Sequence, residues 1–211
     1  MSAQTLRGRA ALITGASGGI GSALARALAR EGAHLALLGR SAEKLAAVLP
    51  EAQAQDVLLL PGDLTDDAYL TQSVEKALSH FGRLDILINN AGMALSAPFG
   101  ETTLAQYDQI MRLNARAPFA LCQIALPHLR QSDAGTILNI ASVNAHKGYA
   151  LQSAYSASKH ALAGFTKALA AEEEEHETKR QAIKAQIDRK HAASRFKFQT
   201  LPVYQNGLPM V

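Results

Sequence analysis

Tyr155 and Lys159 stand four residues apart in the segment YSASK, and Ser142 precedes Tyr155 by thirteen positions. On a helix, a spacing of four puts two side chains on one face. A free phenol ionises near pH 10, too high for easy proton exchange at neutral pH. An ammonium beside it favours the phenolate. Such a phenol can hand a proton to a developing alkoxide or take one from an alcohol. A hydroxyl such as that of Ser142 can hydrogen-bond the same oxygen. A Tyr and a Lys four apart also occur in ordinary helices, so the pair takes its meaning from its surroundings.

A second group of residues points to an anion. Gly15, Ser17, Gly19, Ile20 and Gly21 belong to TGASGGIG, which follows an apolar run and opens a helical pattern. Glycine there lets the backbone turn sharply and approach a pyrophosphate. The N–H groups that open the helix then face the anion, with the helix dipole behind them. The spacing is Gly-xxx-Gly-x-Gly rather than the commoner GxGxxG. An ordinary tight turn is the alternative. Further on, the second strand pattern ends Leu38-Gly39-Arg40. An acidic residue just past this strand would bind ribose hydroxyls and repel a 2′-phosphate. Here Gly39 takes that place and Arg40 follows, offering several donors and a permanent charge. This favours NADP(H); NAD(H) and a plain surface arginine are the alternatives.

These residues need a scaffold, and the patterning supplies one. Five short apolar runs, at residues 10–14, 34–38, 57–60, 84–89 and 136–141, alternate with helical patterns. Strands alternating with helices imply right-handed crossovers and a parallel sheet. The runs are nearly continuous Val, Ile, Leu and Ala, as expected when helices cover both faces. The fold class is α/β, a doubly wound parallel sheet of the Rossmann type, with ligands at the carboxyl ends of its strands. A long helical stretch at residues 103–130 contains Pro118 and Pro127, which should bend or shorten it. The helix bearing Tyr155 should begin near Ala154.

Six motifs in order resemble the classical short-chain dehydrogenase/reductase family over residues 8–171, about four-fifths of the chain. TGASGGIG looks like the family's TGxxxGxG loop. Asp63, with Leu64 in GDLTD, resembles the acidic position that contacts adenine. Asn90, Ala91 and Gly92 belong to an NNAG like the one that steadies the sheet beside the cofactor. Asn114 matches the family's helix asparagine, which holds a water linking the lysine to solvent. Ser142, Tyr155 and Lys159 match the catalytic residues, with Lys159 also holding the nicotinamide ribose. The resemblance implies hydride transfer between a nicotinamide and a carbonyl or secondary alcohol, with Tyr155 as general acid or base. It also implies a homodimer or homotetramer through the long helices. Family members that use NADP often carry a basic residue where this loop has Gly18.

The resemblance ends near Ala171. The sixth strand, its Pro-Gly turn and the seventh strand find no counterpart, and residues 172–190 are mostly charged. Residues 1–171 therefore read as the binding and catalytic domain. Residues 172–211 read as a divergent helical tail with an irregular end, offering two strand fragments at most, 195–199 and 201–204. A truncated product, an engineered helix and a natural variant completed by another chain are all open. The loss would uncover the edge of the fifth strand, so a catalytically impaired module that binds nucleotide or partners is the second functional reading.

The 211 residues suffice for one core, with 48% hydrophobic and 18% charged residues. A net charge of +3 and the lack of a basic cluster interleaved with aromatics argue against nucleic acid. No apolar run reaches the ~20 residues of a membrane span, and no signal peptide is visible, so a cytoplasmic location is the default. The single cysteine, Cys122, excludes an internal disulfide and reads as a buried thiol. The histidines show no metal spacing, and a metal site is not expected. Met93, Ser96, Phe99, His146 and Tyr149 sit where substrate contact and loop surface are equal alternatives.

Overall fold

The computed structural model describes residues 5–53 and 55–199, with short strands at 204–205 and 208–209. Two compact units divide at residues 166 and 167. The first holds a parallel sheet of five strands: β1 Ala10–Thr14, β2 His34–Gly39, β3 Val57–Pro61, β4 Ile86–Asn89 and β5 Thr136–Asn139. Their spatial order is β3-β2-β1-β4-β5. All four pairings are parallel, with Ala11 opposite both Leu35 and Ile86. The order reverses between β1 and β4, which places the ligand crevice at their carboxyl ends. The expected fold class is what the chain adopts.

The strands' composition explains their depth. Leu12, Ile13, Leu35, Leu37 and Leu38 are fully buried, consistent with helices on both faces of the sheet. Truncating any of them to alanine should cost about 2–5 kcal/mol. β5 differs. Thr136 and Leu138, two apart and so on one face of the strand, are exposed, and among the described residues β5 pairs only with β4.

Helix ends follow local chemistry. Around the sheet lie α1 (Gly19–Arg30), α2 (Ala42–Ala46) and α3 (Asp67–Phe81). Ser41 caps α2 by accepting from the Lys44 N–H, and Asp66 caps α3 by accepting from Ala68. Gly82 closes α3 in the left-handed conformation, φ 71°. Next come α4 (Leu104–Met111), opened by a Thr103–Gln106 capping box, and α5 (Ala117–Leu129). One π-helical turn, Arg112–Arg116, joins them. The expected long helix is thus divided, and Pro118 supplies a reason. It has no N–H for the carbonyl four residues back, and its ring crowds that carbonyl. Instead the Ala117 N–H reaches back five residues to Arg112.

At the amino end of the sheet, opposite the crevice, Asp85 is fully buried. Its carboxylate accepts from Arg83 Nε at 2.7 Å and Nη2 at 2.6 Å, from Ser132 Oγ at 2.5 Å and from the Ala10 N–H at 2.9 Å. Burial works against the charge, but these donors prevail and hold its pKa at about 2. One carboxylate thereby ties the entries of β1, β4 and β5.

The last helix, α6, runs Ser153–Gln199 and crosses into the second unit. Residues 195–199 are therefore helical, not the strand fragment the sequence offered: the charged helical pattern continues through them. Of the other fragment, 201–203 lie outside the described residues. Tyr204–Gln205 (β6) pairs antiparallel with Leu208–Pro209 (β7). Among the described residues, no helix is long and apolar enough to cross a membrane.

Candidate active site

The glycine loop is shaped by close approach. Gly15 has φ 63°, and a Cβ there would lie 2.8 Å from Ala91 Cα. A Cβ on Gly21 would lie 2.2 Å from the Gly15 carbonyl oxygen. Around Gly19 nothing lies within 4 Å. The loop is thus packed beneath and open above. α1 starts there with no side-chain cap and no acidic residue in its first turn. Its leading N–H groups have no competing carboxylate, so they suit an anion.

Thr14 and Asn90 fix this loop to the neighbouring strand. Thr14 Oγ1 accepts from the backbone N–H groups of Asn90 and Ala91, both at 3.0 Å. Asn90 Nδ2 donates to the carbonyls of Thr14 at 3.0 Å and Gly15 at 3.1 Å. The carboxyl ends of β1 and β4 are thus locked together at the switch point. Thr14 was not singled out from the sequence; its place directly before Gly15, at the end of a strand, was the available signal.

A cleft of about 970 Å³ opens here. It brings together the predicted loop residues Gly15, Ser17, Gly19, Ile20 and Gly21. Arg40, Asp63 and Leu64 line it too, as do Asn90, Ala91 and Gly92. Arg40 is exposed and has no carboxylate partner among the described residues. Asp63 Oδ1 accepts from the Thr65 N–H and hydroxyl, both at 2.9 Å. Gln109, Arg112 and Leu113 form a wall the sequence did not indicate. Polar at the loop and cationic at Arg40, the cleft is chemically suited to a phosphate-bearing ligand.

Tyr155 and Lys159 do not line that cleft; Lys159 adjoins it through Gly92. A Cβ on Gly92 would lie 3.6 Å from Lys159 Nζ and 3.3 Å from Asn114 Oδ1. Lys159 is buried, at 4% exposure, with Nζ 5.9 Å from the centre of the Tyr155 ring. Nζ donates to the Ile140 carbonyl at 2.8 Å. Burial lowers the lysine's pKa from its ordinary value. Asn114 lies in the π turn and is fully buried. Its side chain accepts from the Met93 N–H at 2.9 Å and donates to the Met93 carbonyl at 2.8 Å and Ser158 Oγ at 3.0 Å. It therefore joins the loop after β4 to α6.

Ser142 opens the 3₁₀ turn Val143–Ala145, and its Oγ accepts from the Asn144 N–H at 3.2 Å. Asn144 Nδ2 donates to Gln152 Oε1 at 2.8 Å and to Ser156 Oγ at 3.0 Å. Leu151 has φ 65°, and its carbonyl accepts from the Ala97 N–H at 2.9 Å. A left-handed leucine is a costly conformation, of the kind that clusters at functional sites. Of the five residues left open as substrate contacts, Met93 lines the cleft, and Phe99 is 83% exposed. Tyr149 lies beneath Lys147, with Nζ 5.4 Å from its ring. Cys122 is buried as expected, and that burial pushes its thiol up to about 11.

The comparisons agree with this architecture. The model for short chain dehydrogenases matches residues 9–187, and the chain belongs to that family. The match extends to residue 187, past Ala171, where the motif resemblance ends. An uncharacterized oxidoreductase, YxjF of Bacillus subtilis, is 39% identical over 81% of this chain and 67% of its own. A dehydrogenase/reductase from Sinorhizobium meliloti is 41% identical, with a TM-score of 0.75 over 81% of this chain and 68% of that one. A metagenomic short-chain oxidoreductase in complex with NADP is 34% identical, with a TM-score of 0.76 over 81% and 79%. The chain spans 58–67% of the length of the first curated relatives it matches.

Proposed function

We propose that this chain is an oxidoreductase moving a hydride between NADP(H) and the carbonyl or secondary alcohol carbon of a small substrate. One observation carries the reading: a dinucleotide-sized cleft at an uncapped helix start is lined by Gly92, which packs against Lys159, whose Nζ lies 5.9 Å from the centre of the Tyr155 ring. When bound, the nicotinamide supplies or accepts the hydride. Residues 1–171 do the rest. The N–H groups opening α1 hold the pyrophosphate, and Arg40 holds the 2′-phosphate. Arg40 and the NADP complex of the metagenomic relative support NADP(H) over NAD(H). Ser142 donates a hydrogen bond to the substrate oxygen, and Tyr155 protonates it in reduction or deprotonates it in oxidation. Lys159 stabilises the phenolate, and Asn114 keeps the lysine's surroundings ordered.

The test is carbonyl-dependent oxidation of NADPH across a panel of aldehydes and ketones. Turnover is expected, and Tyr155→Phe should abolish it while NADPH still binds. Persistent turnover in that variant would refute the role of the phenol. A second reading, a module that binds nucleotide without turnover, draws on β5 having no partner besides β4 among the described residues. NADPH binding with no turnover of any panel member would select it.

We also infer a homodimer or homotetramer through the long helices. A groove of about 530 Å³ lies between the α4–α5 region and α6, with Phe119 53% exposed and packed edge-on against Phe165. Phe119→Asp should shift the chain to monomer in analytical ultracentrifugation. A cytoplasmic setting suits the lone, buried Cys122.

A further inference from the structure

We propose that Asn144 is a positioning residue for the reaction, setting Ser142 against the helix that carries Tyr155. The inference rests on the role given above to Ser142. Asn144 is buried, at 4% exposure, inside a loop whose neighbours are mostly exposed. Each end of its amide meets a different element. The Ser142 Oγ lies 3.3 Å from Asn144 Oδ1, with the hydroxyl donating. Both protons of Nδ2 are engaged, one by Gln152 Oε1 and one by Ser156 Oγ. Ser156 is the residue after Tyr155, on the first turn of α6, where its own N–H donates to the Gln152 carbonyl at 2.8 Å. The side chain therefore spans from the serine that would touch substrate to the helix turn that bears the phenol.

The chemistry follows from the direction of these bonds. The Asn144 N–H donates into Ser142 Oγ, which makes the hydroxyl a better donor. At rest that hydroxyl points its proton at Asn144 Oδ1. When a substrate oxygen arrives, the proton turns to it, and the backbone N–H still holds the oxygen in place. The oxygen thus stays put while only its proton turns. No charge is introduced, because the amide cannot ionise.

Two measurements test this. Hydrogen–deuterium exchange on the intact chain reads the loop without any ligand. Asn144→Ala should speed exchange in residues 143–152 by about tenfold and leave β1 and β2 unchanged; unchanged exchange in the loop would overturn the proposal. A kinetic cycle then separates positioning from mere structure. Asn144→Ala should lower kcat about 10- to 100-fold with little change in the KM for NADPH. In a Ser142→Ala background it should have little further effect, because it acts through that hydroxyl. Independent, multiplicative losses would refute the proposal. If Ser142→Ala alone leaves turnover intact, or no carbonyl is turned over, the functional reading fails instead, and the exchange result still decides how the loop is held.

Discussion

In the proposed reaction, single residues would divide the labour between holding a dinucleotide and moving a proton. Gly21 illustrates the first. With 2.2 Å between an added Cβ and the Gly15 carbonyl, Gly21→Ala must displace the loop backbone. A loss of about 1–3 kcal/mol in stability is expected, together with loss of NADPH binding, read by thermal melting and by titration of nucleotide fluorescence. Arg40 illustrates selectivity. Arg40→Ala should weaken NADPH by about tenfold and leave NADH nearly unchanged, since only NADPH carries the 2′-phosphate; equal weakening of both would count against a phosphate contact. The sequence exposed these residues well, because glycine spacing and a cation after a strand have local meanings. It did not expose Asn144 or Thr14. Their importance lies in what their side chains meet across the fold, and an Asn in a loop has no distinguishing neighbours in sequence.

At the scale of elements, the sheet is fastened at both ends by different means. Thr14 and Asn90 tie the carboxyl ends of β1 and β4, and Asp85 ties the amino ends. The folded pKa of Asp85, about 2, lies below its ordinary 3.8. Its contribution is therefore fully present above about pH 4 and disappears as pH falls through about 2. The amount is about 2 kcal/mol. Asp85→Asn should remove the acid-side dependence in that window and cost about 2–3 kcal/mol at neutral pH, checked by urea unfolding at several pH values. The alternation of strands and helices was readable throughout, because buried parallel strands leave continuous apolar runs. The π turn was not. Pro118 announced a break in the helix, but which hydrogen bonds re-form around a proline is settled by packing. The strand fragment at 195–199 failed for the opposite reason: a few apolar residues are no match for a helix already propagating from Ser153.

For the molecule as a whole, family and fold were legible from six short motifs, which follow β1, β3, β4 and β5 or lie on the π turn and α6. What lies past Ala171 was less so. Its charge pattern fits a helix, and the family match reaches residue 187, yet neither supplies another strand beside β5. Among the described residues β5 pairs on one side only and Leu138 is 42% exposed, a combination that offers a template for association. Leu138→Lys should reduce concentration-dependent aggregation, read by light scattering, without changing the melting temperature by more than a few degrees.

Leu151 carries one more consequence. Its left-handed backbone delivers a carbonyl to the Ala97 N–H, so the segment leaving β4 and the segment entering α6 share a clasp. Neither can swing outward without releasing the other. A substitution that breaks this bond would therefore loosen both segments together.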